Sequence, residues 1–206
     1  MRDYLMESIG AMFLVIVIGL SGNALAIGLI LVAMVYIGGH ISGAHYNPAV
    51  TLSVWIRGKL KTKKLFGYML FQLIGAFIGA LVVYLISETT FAPTRAAGVT
   101  MWQAILVEAF FTFVLCFVIL TVATTKKFEG NYVYGLAIGL TLAACAFAGG
   151  NLSGGAYNPA VALGTMLLKS IFSTQNWDNL IVYLIGPFLG AAISAVTFKY
   201  LNPKEI

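Results

Sequence analysis

Leu25 to Val50 align without a gap on Leu136 to Val161 at a constant offset of 111, with sixteen identities in twenty-six positions. A match of that density means that one structural unit is built twice. The same offset carries Leu73-Ile74-Gly75-Ala76-Phe77-Ile78-Gly79-Ala80 onto Leu184-Ile185-Gly186-Pro187-Phe188-Leu189-Gly190-Ala191. Glu7 and Glu108 stand 101 apart instead, so the first connection of the second unit is ten residues longer.

Composition decides where such a unit can live. The chain is 60% hydrophobic and 9% charged, whereas a soluble domain carries about 25% charged residues. Each crossing of about 30 Å of hydrocarbon needs roughly 20 residues. Six stretches qualify, at about 4–22, 24–41, 65–87, 101–124, 132–150 and 179–201, and two apolar pieces at 47–56 and 158–169 are too short to cross. Three spans per unit is an odd number, so the second copy enters the membrane from the opposite side. The fold class is an all-α membrane protein, with six transmembrane helices plus two re-entrant half-helices in an inverted repeat. One domain covers 1–206, with repeats at about 1–87 and 101–206. Folds of this kind place their site near the bilayer midplane, where broken segments from opposite faces meet.

Arg2, an apolar run and Ala24-Leu25-Ala26 superficially resemble a cleavable secretory signal. Glu7 interrupts that run and the segment has a counterpart in the second unit, so it is read as the first helix. The net charge of +5 is a topology signal and implies no nucleic-acid partner. Arg2, Arg57, Lys59, Lys61, Lys63, Lys64, Lys126, Lys127, Lys199 and Lys204 all fall on one side, leaving Arg95 and Lys169 on the other. Cation-rich loops stay inside, which puts both termini in the cytoplasm. Cys116 and Cys145 lie within spans and read as reduced thiols.

Asparagine is a strong helix cap and proline is favoured at the first helical position. Asn47-Pro48-Ala49 and Asn158-Pro159-Ala160 therefore each start a half-helix. The stretches before them, Gly38 to Gly43 and Gly149 to Gly154, are read as extended loops that glycine permits. Non-helical backbone at membrane depth survives only where it is buried in protein or lines water. Two helix N-termini meeting at the midplane concentrate about half a positive charge each, which repels cations. Water accepting hydrogen bonds from both Asn amides loses its place in a proton relay.

With these residues in hand, Ser42-Gly43-Ala44-His45-Tyr46-Asn47-Pro48-Ala49-Val50-Thr51 and Gly154-Gly155-Ala156-Tyr157-Asn158-Pro159-Ala160-Val161 resemble the two signature loops of the aquaporin, or major intrinsic protein, family. The resemblance covers essentially the whole chain. It implies a right-handed bundle, a homotetramer with one pore per subunit, and passive passage of water and small neutral solutes. It also matches Glu7 and Glu108 to buried acids that anchor the re-entrant loops.

One departure matters. Most members carry Arg directly after the second Asn-Pro-Ala, where this chain has Val161; the other selectivity-filter positions are Ile27, Ala146 and Gly155. That quartet has no charge, no aromatic and two very small side chains, so a wide apolar filter is expected. Glycerol, urea or undissociated metalloid acids then fit, and bacterial members lacking the Arg are linked to arsenic handling. Proton leak and slow water flux are two further consequences. Phe147 and Tyr157 adjoin the filter positions, and either ring turned inward would narrow it again.

His40 and His45 flank the first signature without Cys or carboxylate nearby in sequence, which favours loop hydrogen bonding over a metal site. Lys59 to Lys64 suit membrane lipid headgroups as well as solvent. Cys145 adjoins Ala146, within reach of a thiol reagent in the pore. No phosphate loop, nucleophile triad or metal cluster is present, so neither an enzyme nor a cofactor is expected. Two other functions compete: a proton-coupled secondary transporter, and a low-conductance structural membrane protein. The first lacks a coupling site beyond the two glutamates, and the second is disfavoured by the short connections at Ser21 to Asn23 and Thr89 to Gly98. Those short connections suit a prokaryotic plasma membrane.

Overall fold

Eight α-helices make up the bundle in the computed structural model, which describes residues 1–205. In chain order they are α1 (Arg2–Ser21), α2 (Ala24–Gly38), α3 (Pro48–Ile56), α4 (Thr62–Ser87), α5 (Met101–Thr124), α6 (Tyr134–Ser153), α7 (Pro159–Phe172) and α8 (Leu180–Leu201). Short 3-10 turns at Lys126–Phe128 and Pro203–Glu205 complete the regular structure. Five helices, α1, α4, α5, α6 and α8, are long and apolar enough to cross a membrane.

Local chemistry sets the ends. Asn23 caps α2 by accepting from the amides of Leu25 and Ala26 at 2.9 and 3.1 Å, and this satisfies donors that the first turn otherwise orphans. Thr100 and Gln103 form a reciprocal capping box at the start of α5. Gly22 and Gly154 end α1 and α6 in left-handed conformations, with φ of 57° and 96°.

Two expectations about helix extent need correction. The second span is a helix of 15 residues, not the crossing read over 24–41; its remaining depth is covered by turns at residues 39–42. In the second unit, Gly149 to Ser153 are not an extended loop but the last turn of α6, and only residues 154–158 leave helical geometry. Here glycine serves packing. A Cβ on Gly149 would collide with the Tyr157 hydroxyl, and one on its counterpart Gly38 with the Tyr46 hydroxyl.

Packing follows the repeat. α1 lies on α4 and α5 on α8. Gly75 and Gly79 face the backbone of Ser8 and Met12, and Gly186 and Gly190 face that of Ile105 and Ala109, with no room for a Cβ on either side. Close backbone approach of this kind is how helices associate where lipid offers no hydrophobic drive. α2 and α6 meet at Gly28 and Gly139, one position of the repeat seen twice: a Cβ on Gly28 would lie 2.5 Å from the Gly139 carbonyl oxygen. Each half-helix packs on the last long helix of the other unit, α3 on α8 and α7 on α4. Neither unit is closed without the other.

Arg57 is not a solvated loop cation. It ends α3 almost fully buried, its guanidinium 5.1 Å from the Phe198 ring centroid and bonded to the Glu205 carbonyl at 2.5 Å. A cation at a helix C-terminus complements the partial negative charge there.

Candidate functional site

Two helix caps meet at the centre of the bundle. Asn47 Oδ1 accepts from the Ala49 amide at 2.8 Å, and Asn158 Oδ1 accepts from the Ala160 amide at 3.0 Å. The other end of each side chain crosses to the opposite unit. Asn47 Nδ2 donates to the Tyr157 carbonyl at 2.8 Å and Asn158 Nδ2 to the Tyr46 carbonyl at 2.9 Å. A carboxamide carries two N–H donors, so one on each Asn is left for whatever occupies the space both side chains border.

That space is a cavity of about 300 Å³. It begins at the face opposite the termini, beside Gly22, Ala24, Phe91 and Asn151, passes Asn47 and Asn158, and reaches Ala44, His45 and Ile138. Ile27, Ala146, Gly155 and Val161 all border it. Much of its wall is aliphatic and comes in repeat-related pairs: Leu14 with Leu115, Ile18 with Ile119, Ile27 with Ile138, Leu31 with Leu142, and Val50 with Val161. The pairs Leu14 with Leu115, Ile18 with Ile119 and Leu31 with Leu142 were not legible as lining from the motifs, although the first two carried a signal. Leu14 and Ile18 stand seven and eleven residues after Glu7, on the same helix face, as Leu115 and Ile119 do after Glu108.

The re-entrant backbone is held from behind by carboxylates. Glu7 Oε1 accepts from the Ser42 hydroxyl at 2.6 Å and the His45 amide at 3.0 Å; its Oε2 accepts from the Tyr46 amide at 2.6 Å and Gln72 Nε2 at 2.7 Å. Glu108 Oε1 accepts from the Ser153 hydroxyl at 2.7 Å and the Ala156 amide at 3.0 Å, and its Oε2 from the Tyr157 amide at 2.6 Å. Both side chains are fully buried. A buried carboxylate is tolerable only with such a donor set. Tyr46 and Tyr157, at φ of 52° and 46°, hold left-handed backbone that a side chain ordinarily avoids, and the same donor sets keep it in place.

Further residues lock the loops. Tyr68 and Tyr183 donate their hydroxyls to the Ser42 and Ser153 carbonyls at 2.8 and 2.6 Å. Tyr46 and Tyr157 donate to the Met34 and Cys145 carbonyls at 2.8 and 3.0 Å. Tyr68 and Tyr183 do not share the offset of 111, so the repeat could not pair them.

Several neighbours of the cavity take unexpected places. Phe147 lies on the outer surface, 64% exposed, and does not narrow the opening. The Tyr157 ring packs edge-on against Phe111, at 5.6 Å, with its hydroxyl committed. The aromatic that does enter at the mouth is Phe91, from the α4–α5 connection. Cys145 turns its thiol toward the Phe111 carbonyl, at 3.8 Å, and is absent from the cavity wall. His45 borders the cavity, with Nδ1 3.2 Å from Thr51 Oγ1, while His40 is exposed. Among the described residues no three of His, Cys, Asp or Glu converge as a metal site would require.

A helical bundle with a cavity running past two opposed half-helix N-termini is the architecture of a membrane pore. The family model described as Major intrinsic protein matches residues 2–198, and the chain belongs to that family. Aquaporin AqpM of Methanothermobacter marburgensis is 35% identical over 188 residues, which span 87% of this chain and 76% of that protein. Aquaporin NIP1-4 of Oryza sativa is 37% identical over 183 residues, or 88% of this chain and 65% of that one. The aquaglyceroporin structure from Plasmodium falciparum shares the fold, with a TM-score of 0.88 over 99% of this chain and 98% of the other at 23% identity.

Proposed function

We propose that this chain is a passive pore for water and small uncharged solutes, with Asn47 and Asn158 as the central donors and Ile27, Ala146, Gly155 and Val161 as its selectivity filter. The observation that carries the reading is the reciprocal pair of Asn amides bordering one 300 Å³ lumen. Polar atoms there are few and aimed, while most of the remaining wall is apolar. A solute sheds water against that wall and regains hydrogen bonds at the two amides and the loop backbone. Ions gain too little to replace hydration and meet the positive ends of two half-helices.

The filter quartet offers neither a guanidinium nor a ring, which favours glycerol, urea or undissociated metalloid acids alongside water. Glu7 and Glu108 act as loop anchors in this reading and carry no protons across. We further infer a homotetramer, which the family supports. The cation-rich loops support a cytoplasmic position for both termini. The short connections favour a prokaryotic plasma membrane, although both archaeal and plant relatives match.

Osmotic swelling of proteoliposomes in gradients of sucrose, glycerol and urea tests the class. A response with low activation energy and no dependence on ion gradients is expected; saturable, gradient-coupled uptake would indicate a carrier instead, and no response a structural protein. Val161→Arg tests the filter. Glycerol flux is expected to fall more than water flux, and equal loss of both would overturn the assignment of that residue.

A further inference from the structure

The wall of the cavity mouth is incomplete without the connection between α4 and α5, because Phe91, Ala92 and Pro93 all border the lumen. This connection lies across the opening and is pinned at both ends. On one side the Ala96 amide donates to the Leu152 carbonyl at 3.0 Å, and the Thr94 backbone fits against Gly154, where a Cβ would be 2.7 Å from its nitrogen. Arg95 fastens the same stretch, with Nε 3.1 Å from Asn179 Oδ1 and Nη1 2.5 Å from the Val99 carbonyl. On the other side the Phe91 ring rests on Gly19 of α1. A Cβ at Gly19 would lie 2.8 Å from the ring's Cζ and 2.7 Å from Val83 Cγ2, so the ring edge and the valine close on the space that the glycine leaves.

Other ring-bearing residues around the lumen are committed elsewhere. Tyr46 and Tyr157 spend their hydroxyls on the Met34 and Cys145 carbonyls, and His45 stands beyond the Asn pair, bonded to Thr51. Phe91 is the aromatic residue that the mouth-side connection adds to the wall, and the edge of its ring is seated on Gly19.

We propose that Phe91, seated on Gly19, is the specificity-determining ring of this mouth and sets the largest neutral solute that enters. The inference rests on the reading of the lumen as a pore. Water passes beneath the ring with little contact; a polyol must slide its carbon chain across it. Longer polyols are therefore excluded by a residue outside the filter quartet.

The test uses the full chain in proteoliposomes, with water, glycerol and the five-carbon polyol xylitol followed by stopped-flow light scattering. Phe91→Ala is expected to raise xylitol flux relative to glycerol by about tenfold, the scale on which one apolar wall group discriminates, with a smaller change in water flux. Phe91→Leu serves equally if the alanine variant does not reconstitute. Gly19→Ala leaves the lining residues unchanged but drives the ring inward, so glycerol flux falls; in the Gly19→Ala/Phe91→Ala double variant that loss disappears. An unchanged xylitol-to-glycerol ratio in Phe91→Ala would overturn the proposal. So would a Gly19→Ala loss that persists without the ring, since it would then arise from α1–α4 packing. If the unmodified protein gives no flux above empty liposomes, the pore reading itself fails, and this inference with it.

Discussion

The two re-entrant segments follow the same path with different chemistry behind them. In the first, Glu7 has four donors, and Gln72 links it to Thr51, which also touches His45 and the Asn47 carbonyl. In the second, the equivalents of His45, Thr51 and Gln72 are Ala156, Ala162 and Tyr183, which sit in an apolar cluster with Ile105, Met166 and Val182. Glu108 keeps only three donors. The conserved element between the units is therefore the carboxylate with its two backbone amides and one serine. What surrounds it can be a polar network or a packed apolar shell. An apolar shell holds geometry but has no spare partner to offer when one is lost.

The largest test of that difference removes one carboxylate oxygen from each unit. Glu108→Gln turns an NH₂ toward donors where Tyr183 stands in place of Gln72, and is expected to destabilise by about 1–3 kcal/mol, the usual cost of a buried unsatisfied group. Glu7→Gln should cost visibly less, because Gln72 Oε1 is buried without a partner and can turn in to accept. Thermal unfolding of the purified protein in detergent reads the order; the reverse order would break the comparison.

A smaller contrast lies one layer out. Gln72→Leu strips a donor from both Glu7 and Thr51, and should lower stability by about 1–2 kcal/mol. Tyr183→Phe removes one hydroxyl bond while leaving the ring packed, and about 1 kcal/mol is expected. Equal midpoints for the two variants would mean that the polar network contributes no more than the apolar shell.

The smallest exchange swaps corresponding positions. Thr51→Ala is expected to cost about 0.5–1.5 kcal/mol through its lost hydrogen bonds. Ala162→Thr adds a hydroxyl that can reach only the Asn158 carbonyl, as Thr51 reaches that of Asn47, and otherwise meets apolar neighbours such as Val182 and Met166, so it should not stabilise the second unit. Paired melting curves check both, and a gain from Ala162→Thr would show that the shell has unused polar partners.

Much of the fold was legible in the chain because its signals are local. Asn before Pro caps a helix wherever it occurs, an apolar run of about 20 residues demands lipid, and an internal repeat needs only counting. Less legible were features fixed by partners distant in sequence. Gly149 and Gly150 read as loop glycines, yet α6 continues through them because Tyr157 and Phe111 fill the space a Cβ at Gly149 would take. Arg57 read as one more loop cation, yet Phe198 and Glu205, more than 140 residues away, bury it. Phe91 sits in a connection with no repeat partner and no motif, so nothing marked it as a wall of the lumen.

By itself the sequence determined the lipid environment, the doubled unit with its inversion, the two capped half-helices and the family, since each depends on residue type and spacing along one stretch of chain. Only the tertiary structure decided which residues border the lumen, that Phe147 lies on the outer surface while Phe91 joins the wall, and that the two loops are braced by unlike surroundings. Those outcomes depend on which helices share a face, and that is settled by close backbone contacts such as Gly28 against Gly139, formed between residues 111 positions apart.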